Sequence, residues 1–134
     1  STLDAAVAAG ATPRAKVLGH ASHAQAPSLF PTAPVPAARK LLERIGWKIG
    51  DVDLWEVNEA FAVVPALFEQ RYRVDPSKVN ITGGHLAKGH PMGATGAVLL
   101  SCLVDALEQR DGRLGMVVAT GASGIGAAVI IERL

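Results

Sequence analysis

The sequence predicts an α/β fold in which a mixed β-sheet carries helices on both faces. Three observations predict it. Helical and strand patterns alternate along the chain, the arrangement that builds layered α/β domains. The last two apolar segments are rich in Val and Ile and are joined by a short Gly-rich turn, so they form a hairpin and make the pairing mixed. Between Gly93 and Arg110 lies a long helix whose centre, Ala97-Val98-Leu99-Leu100-Ser101-Cys102-Leu103-Val104, is apolar nearly all round. Such a helix is expected to be buried on every side, as between two sheets.

Ser1 to Gly10 reads as an amphipathic helix already under way, with Leu3, Ala6 and Val7 apolar, so the chain is expected to begin inside a larger protein. Ala11-Thr12-Pro13 breaks that helix, and Ala15 to His20 follows as a short strand. Ser22 to Pro36 has no apolar period and holds Pro27, Pro31, Pro34 and Pro36. It is expected as a long loop, and loops of that length are usually functional. The next helix places Val35, Ala38, Leu41, Leu42 and Ile45 on one face and Arg39, Lys40, Glu43 and Arg44 on the other, and Gly46 stops it. Val52 to Val57 alternates weakly and is expected as a strand ending at Asn58. Glu59 to Arg71 is the following helix, and Val79 to Thr82 a short strand between Pro76 and Gly83-Gly84. Leu114 to Thr120 and Ala127 to Ile131 are the final strands.

A chain of 134 residues, 49% hydrophobic, can bury one sizeable core and is expected to form one domain, 1–134. Thirteen basic against 12 acidic side chains, a net charge of +1, give no electrostatic reason to expect nucleic acid or an anionic membrane as partner. Cys102 is the single cysteine, which excludes an internal disulfide and a cysteine-cluster metal site; no metal is expected, and a reducing, cytoplasmic setting is. No apolar run is long enough to span a bilayer, and no signal peptide opens the chain.

Three segments at strand exits carry candidate chemistry. Asn58-Glu59-Ala60-Phe61 comes first; Asn58 is also the residue type that caps a following helix. In the second, Gly83 to Ala97, glycines at 83, 84, 89, 93 and 96 exceed what one turn requires. They allow close backbone approach and fix His90, between Gly89 and Pro91, ahead of the long helix. The third, Thr120-Gly121-Ala122-Ser123-Gly124-Ile125-Gly126, invites a dinucleotide-binding reading. That reading fails, because the fingerprint needs a helix after the glycines and a strand follows instead.

Together these segments resemble the thiolases. Asn58-Glu59-Ala60-Phe61 is similar to the family's Asn-Glu-Ala-Phe motif, Gly83 to Ala97 to its Gly-Gly…Gly-His-Pro…Gly-Ala-(Ser/Thr)-Gly motif, and Ala122 to Gly126 with Ile131-Glu132-Arg133 to its ending. The resemblance covers essentially the whole chain. It implies the C-terminal half of the thiolase fold, lacking its first strand and helix, with the full fold a five-layered αβαβα sandwich and usually oligomeric. It implies acyl transfer on CoA thioesters, by thiolysis of 3-ketoacyl-CoA or the reverse Claisen condensation. Coenzyme A is then a substrate, and no cofactor is permanently bound. His90 matches the histidine that activates a nucleophilic cysteine and helps bind the thioester oxygen. Asn58 matches the residue that holds a water beside it. Phe61, Ala60 and Phe30 are implied as the acyl and pantetheine wall, with Gly89 beside the histidine.

Two departures follow. No cysteine here matches the nucleophile, which is expected from an N-terminal half as partner, and Cys102 is expected to be an inert, buried thiol. The chain alone is expected to be inactive. Thr120 stands where the family has its acid/base cysteine, and Ala122 replaces a glycine of the second oxyanion hole. A hydroxyl is far too weak an acid for that role near neutral pH, whereas a thiol with pKa about 8.5 is close to workable. The alternative reading is a thiolase-like acyl-CoA-binding protein or a non-catalytic subunit.

Overall fold

The computed structural model describes all residues, Ser1–Leu134. Its elements are α1 (Leu3–Ala8), β1 (Ala15–Ala24), α2 (Pro34–Ile45), β2 (Leu54–Val57), α3 (Val63–Tyr72), α4 (His85–Lys88), α5 (Thr95–Gln109), β3 (Leu114–Gly121) and β4 (Ile125–Arg133). The four strands form one sheet in the order β1-β4-β3-β2. β2 runs parallel to β3, while β3–β4 and β4–β1 are antiparallel, so the pairing is mixed.

Alternation along β2 and β3 sends side chains to two cores. Trp55, Val57, Met116 and Val118 face α2 and α3, where Leu41, Leu42 and Phe68 complete the larger cluster. Leu54 and Val117 face the other way, against Leu99, Leu103 and Leu107 of α5. Emptying a fully buried leucine such as Leu103 in such a core costs about 2–5 kcal/mol. The apolar stripe of α2 is where the periodicity put it, with Pro34 opening the helix and Gly46, at φ 76, ending it in the left-handed conformation glycine favours. The two halves of the sheet thus carry helices on both faces.

Five expectations need correction. The stretch from Ser22 to Pro36 is not a loop. β1 runs on to Ala24 because β4 starts early, at Ile125, and extends the ladder; a 3-10 segment, Pro27–Thr32, follows and Pro34 already begins α2. The helix expected from Glu59 begins at Val63. Val79 to Thr82 is no strand: only Trp55 and Val79 form a bridge. The long helix starts at Thr95, two residues later than expected. Nor is it buried on every side: Ala97 and Ser101 are exposed and Val98, Leu100, Cys102 and Val104 half-buried, because one sheet, not two, packs against it in this chain. α1 forms, with its Leu3 and Val7 exposed. No helix is long and apolar enough to cross a membrane.

Candidate active site

The C-terminal ends of β2 and β3, the loop before α5 and the 3-10 segment Pro27–Thr32 surround a cavity of about 590 Å³. That placement follows from the parallel β2–β3 pair, whose carboxyl ends open together. Phe30, Asn58, Ala60, Phe61, His90, Thr120 and Ala122 all line it, although they come from four separated stretches of sequence. Gly89 does not; it is exposed and ends α4 at φ 88.

Asn58 continues the sheet by one residue, its N–H donating to the Val118 carbonyl at 2.9 Å. It does not cap a helix: Ala62 precedes α3 and makes no side-chain capping bond. The Asn58 side chain is 1% exposed and its Oδ1 has no partner in the chain. A buried amide oxygen left without a partner costs about 1–3 kcal/mol, so it marks a place where a ligand or water is accepted.

His90 is fixed on one side only. Its Nδ1 lies 2.7 Å from the hydroxyl of Thr95, the first residue of α5, and the other ring nitrogen makes no hydrogen bond within the chain. A second imidazole, His85, packs against it with ring centroids 5.5 Å apart. His85 is 3% exposed and neither of its ring nitrogens has a partner. Burial, then the neighbouring His90, hold the His85 imidazole below its usual pKa, so it is neutral at pH 7. Glu56, buried on β2, is pushed up to about 7 by burial, with the Lys88 charge pulling the other way.

The opposite wall is built differently. Thr120 is the second-last residue of β3 and its hydroxyl donates to the Phe30 carbonyl. That bond ties the 3-10 segment to the sheet and brings the Phe30 ring edge-on to Phe61, at 5.7 Å. Phe61 is 57% exposed, so this aromatic pair forms the open, apolar lip of the cavity. Ala122 opens the tight β3–β4 turn, where Gly124, at φ 81, lies so close to the Gln25 carbonyl that a Cβ would stand 2.2 Å from it.

Met92, Thr95, Gly96 and Ser123 also reach the cavity and were not singled out from the sequence. Each lies inside or beside a motif that was, so position within the motif was the available signal. Cys102 is half-buried rather than enclosed, accepts a hydrogen bond from the Lys88 ammonium at 3.2 Å, and is not part of the cavity wall. No three His, Cys, Asp or Glu side chains converge as metal ligands. The cavity therefore offers an imidazole nitrogen and an amide, both uncommitted, against apolar walls. The imidazole can donate to an acyl oxygen, and the Asn58 oxygen can accept from a donor beside it; neither group is a nucleophile for acyl transfer.

Residues 11–133 match the family described as Thiolase, C-terminal domain. The acetyl-CoA acetyltransferase of Paracoccus denitrificans is 40% identical over 132 residues, 98% of this chain and 34% of that protein. A steroid 3-ketoacyl-CoA thiolase of Mycobacterium tuberculosis is 41% identical over 125 residues, 93% of this chain and 31% of its own length. The crystal structure of the Bacillus anthracis acetyl-CoA acetyltransferase superposes with a TM-score of 0.94 at 35% identity, covering 99% of this chain and 34% of that one. The chain thus spans about a third of the length of the relatives it matches.

Proposed function

Because the chain belongs to the thiolase family, as its C-terminal domain, we propose that it supplies the histidine–asparagine side of a site for acyl transfer on coenzyme A thioesters. The observation that carries this reading is a buried amide with a free oxygen sharing one cavity with an imidazole already held at one nitrogen.

In the proposed cycle the nucleophile is a cysteine of a thiolase N-terminal half. The free nitrogen of His90 takes the thiol's proton, which raises the thiolate fraction. The thiolate adds to the 3-keto carbonyl of a 3-ketoacyl-CoA, and the bond between the α and keto carbons breaks. Its electron pair leaves as the enolate of acetyl-CoA, which takes up a proton. Free CoA then attacks the cysteine thioester, releasing the shortened acyl-CoA and the thiol. Asn58 is proposed to hold a water beside His90, so that water and imidazole together donate to the enolate-like oxygen. Phe30 and Phe61 shield the acyl group. Coenzyme A is a substrate in this cycle, and the working protein is proposed to be a cytoplasmic homo-oligomer.

A second reading rests on Thr120. The enolate must be protonated by an acid on the far wall, and the Thr120 hydroxyl already donates to the Phe30 carbonyl. This favours a weak thiolase, or an acyl-CoA binder or non-catalytic subunit built on the same cavity. Native and intact-mass spectrometry separate an acylating enzyme, weak or not, from a binder. The chain assembled with a cysteine-bearing N-terminal half is mixed with acetyl-CoA. The first reading expects one acetyl group on the partner's cysteine, lost in His90→Ala. Binding of acetyl-CoA without acylation would establish the binder, and neither binding nor acylation would sink both readings.

A further inference from the structure

Asn58 and His90 lie on different segments, and no hydrogen bond joins them. What sets their relation is found one residue beyond Asn58. The Glu59 carboxylate accepts from two donors at once: Asn80 Nδ2 at 2.8 Å on Oε1, and the Leu86 backbone N–H at 2.9 Å on Oε2. Asn80 in turn clamps the end of β2. Its Oδ1 accepts from the Val57 N–H at 2.7 Å and its Nδ2 donates to the Val57 carbonyl at 3.0 Å, so the side chain stands where a neighbouring strand would. Leu86 is the second residue of α4, and the first is His85, whose ring rests on that of His90. A continuous path therefore runs from the Asn58 segment through Glu59 to α4 and on to the His90 ring.

Two further details fit this path. A Cβ on Gly84 would stand 2.0 Å from the Glu59 carboxyl carbon, so the carboxylate occupies the space of residue 84's missing side chain. Both neighbours of the carboxylate are donors, and only a carboxylate offers two acceptor oxygens; a glutamine would turn its NH₂ toward one of them. The residue type is thus set by hydrogen bonding.

We propose that Glu59 is a positioning residue: bridging Asn80 and the first turn of α4, it holds the segment bearing Asn58 and the loop bearing His90 as one rigid unit. The inference rests on the acyl-transfer reading for its purpose, while its structural content can be tested on this chain alone. The test compares wild type, Glu59→Ala and Glu59→Gln by amide hydrogen exchange and by the imidazole NMR signals of His85 and His90. In Glu59→Ala the Leu86 amide should exchange at least about tenfold faster, and the His90 ring signals should shift and broaden while the overall fold persists. Glu59→Gln, which keeps one acceptor, should restore the His90 signals part of the way. Unchanged Leu86 exchange and unchanged His90 signals in Glu59→Ala would overturn the proposal. If the alanine variant does not fold, Glu59→Gln decides by the same two readouts. Absence of acyl-enzyme in the mass experiment above would sink the functional reading and leave this test intact.

Discussion

The two walls of the cavity are held by opposite means. On the His90 wall, side chains fix one another: Thr95 holds one imidazole nitrogen, and Glu59 and Asn80 lock the loops. This leaves the Asn58 oxygen and the second His90 nitrogen uncommitted. On the Thr120 wall the position is set by backbone, the register Thr120↔Gly126 and Gly121↔Ile125 of the hairpin, and the Thr120 hydroxyl is consumed in holding Phe30. The contrast bears on where chemistry can remain. A wall that supports its polar groups from behind keeps them free to meet a ligand. A wall whose threonine is spent on its own architecture offers that hydroxyl to shape the cavity rather than to meet a ligand.

The comparison breaks most visibly at His90. On the proposed function, His90→Ala should lower acyl transfer by the complete protein about 10²–10⁴-fold, measured as thiolysis of a 3-ketoacyl-CoA, with the melting temperature little changed. A loss within twofold would move the chemistry off this wall.

The next effect concerns two buried titratable groups, Glu56 and His85, and is read as stability against pH. Glu56 is raised to about 7 from its ordinary 4.5, so its contribution is fully present below pH 4.5 and is lost as pH rises through about 7. The shift corresponds to about 3 kcal/mol at most. His85, lowered from 6.5, has the opposite sign: its contribution is present above pH 6.5 and is lost as pH falls. Lys88 and Glu59 are the charges that act on both groups. Denaturant titrations of Glu56→Gln should therefore show no loss of stability between pH 4.5 and 7, and a rise toward 6.5 left by His85. A wild-type-like fall in the variant would remove Glu56 from this account.

The smallest effect belongs to the other wall. Thr120→Val leaves the Phe30 carbonyl without its donor and should cost about 1–2 kcal/mol of stability, with the His90 imidazole signals unmoved. Displaced His90 signals would mean that the walls are coupled.

Much of this contrast was legible in the sequence, and the rest was hidden for physical reasons. α2, β2, α5 and the hairpin were legible because apolar periodicity and Gly46 act locally. The segment after Asn58 read as helix because its composition favours one; Glu59 instead reaches Leu86, 27 residues on, and the helix waits until Val63. Val79 to Thr82 read as a strand from its β-branched residues, yet Asn80 turns left-handed at φ 48 and pairs with β2 through its side chain. The cavity residues named by motif do meet in space, all but Gly89. His85, Glu56 and Thr95 went unnoticed because burial and ring contact, which no local pattern encodes, are what single them out.

On the proposed function, proton transfer is limited at the Thr120 wall rather than at the His90 wall. The most direct measurement is thiolysis of acetoacetyl-CoA by the complete protein, wild type against Thr120→Cys. The expected result is a gain of about 10²–10⁴-fold, abolished again when His90→Ala is added. An unchanged rate in Thr120→Cys, with the acyl-enzyme still forming, would contradict it.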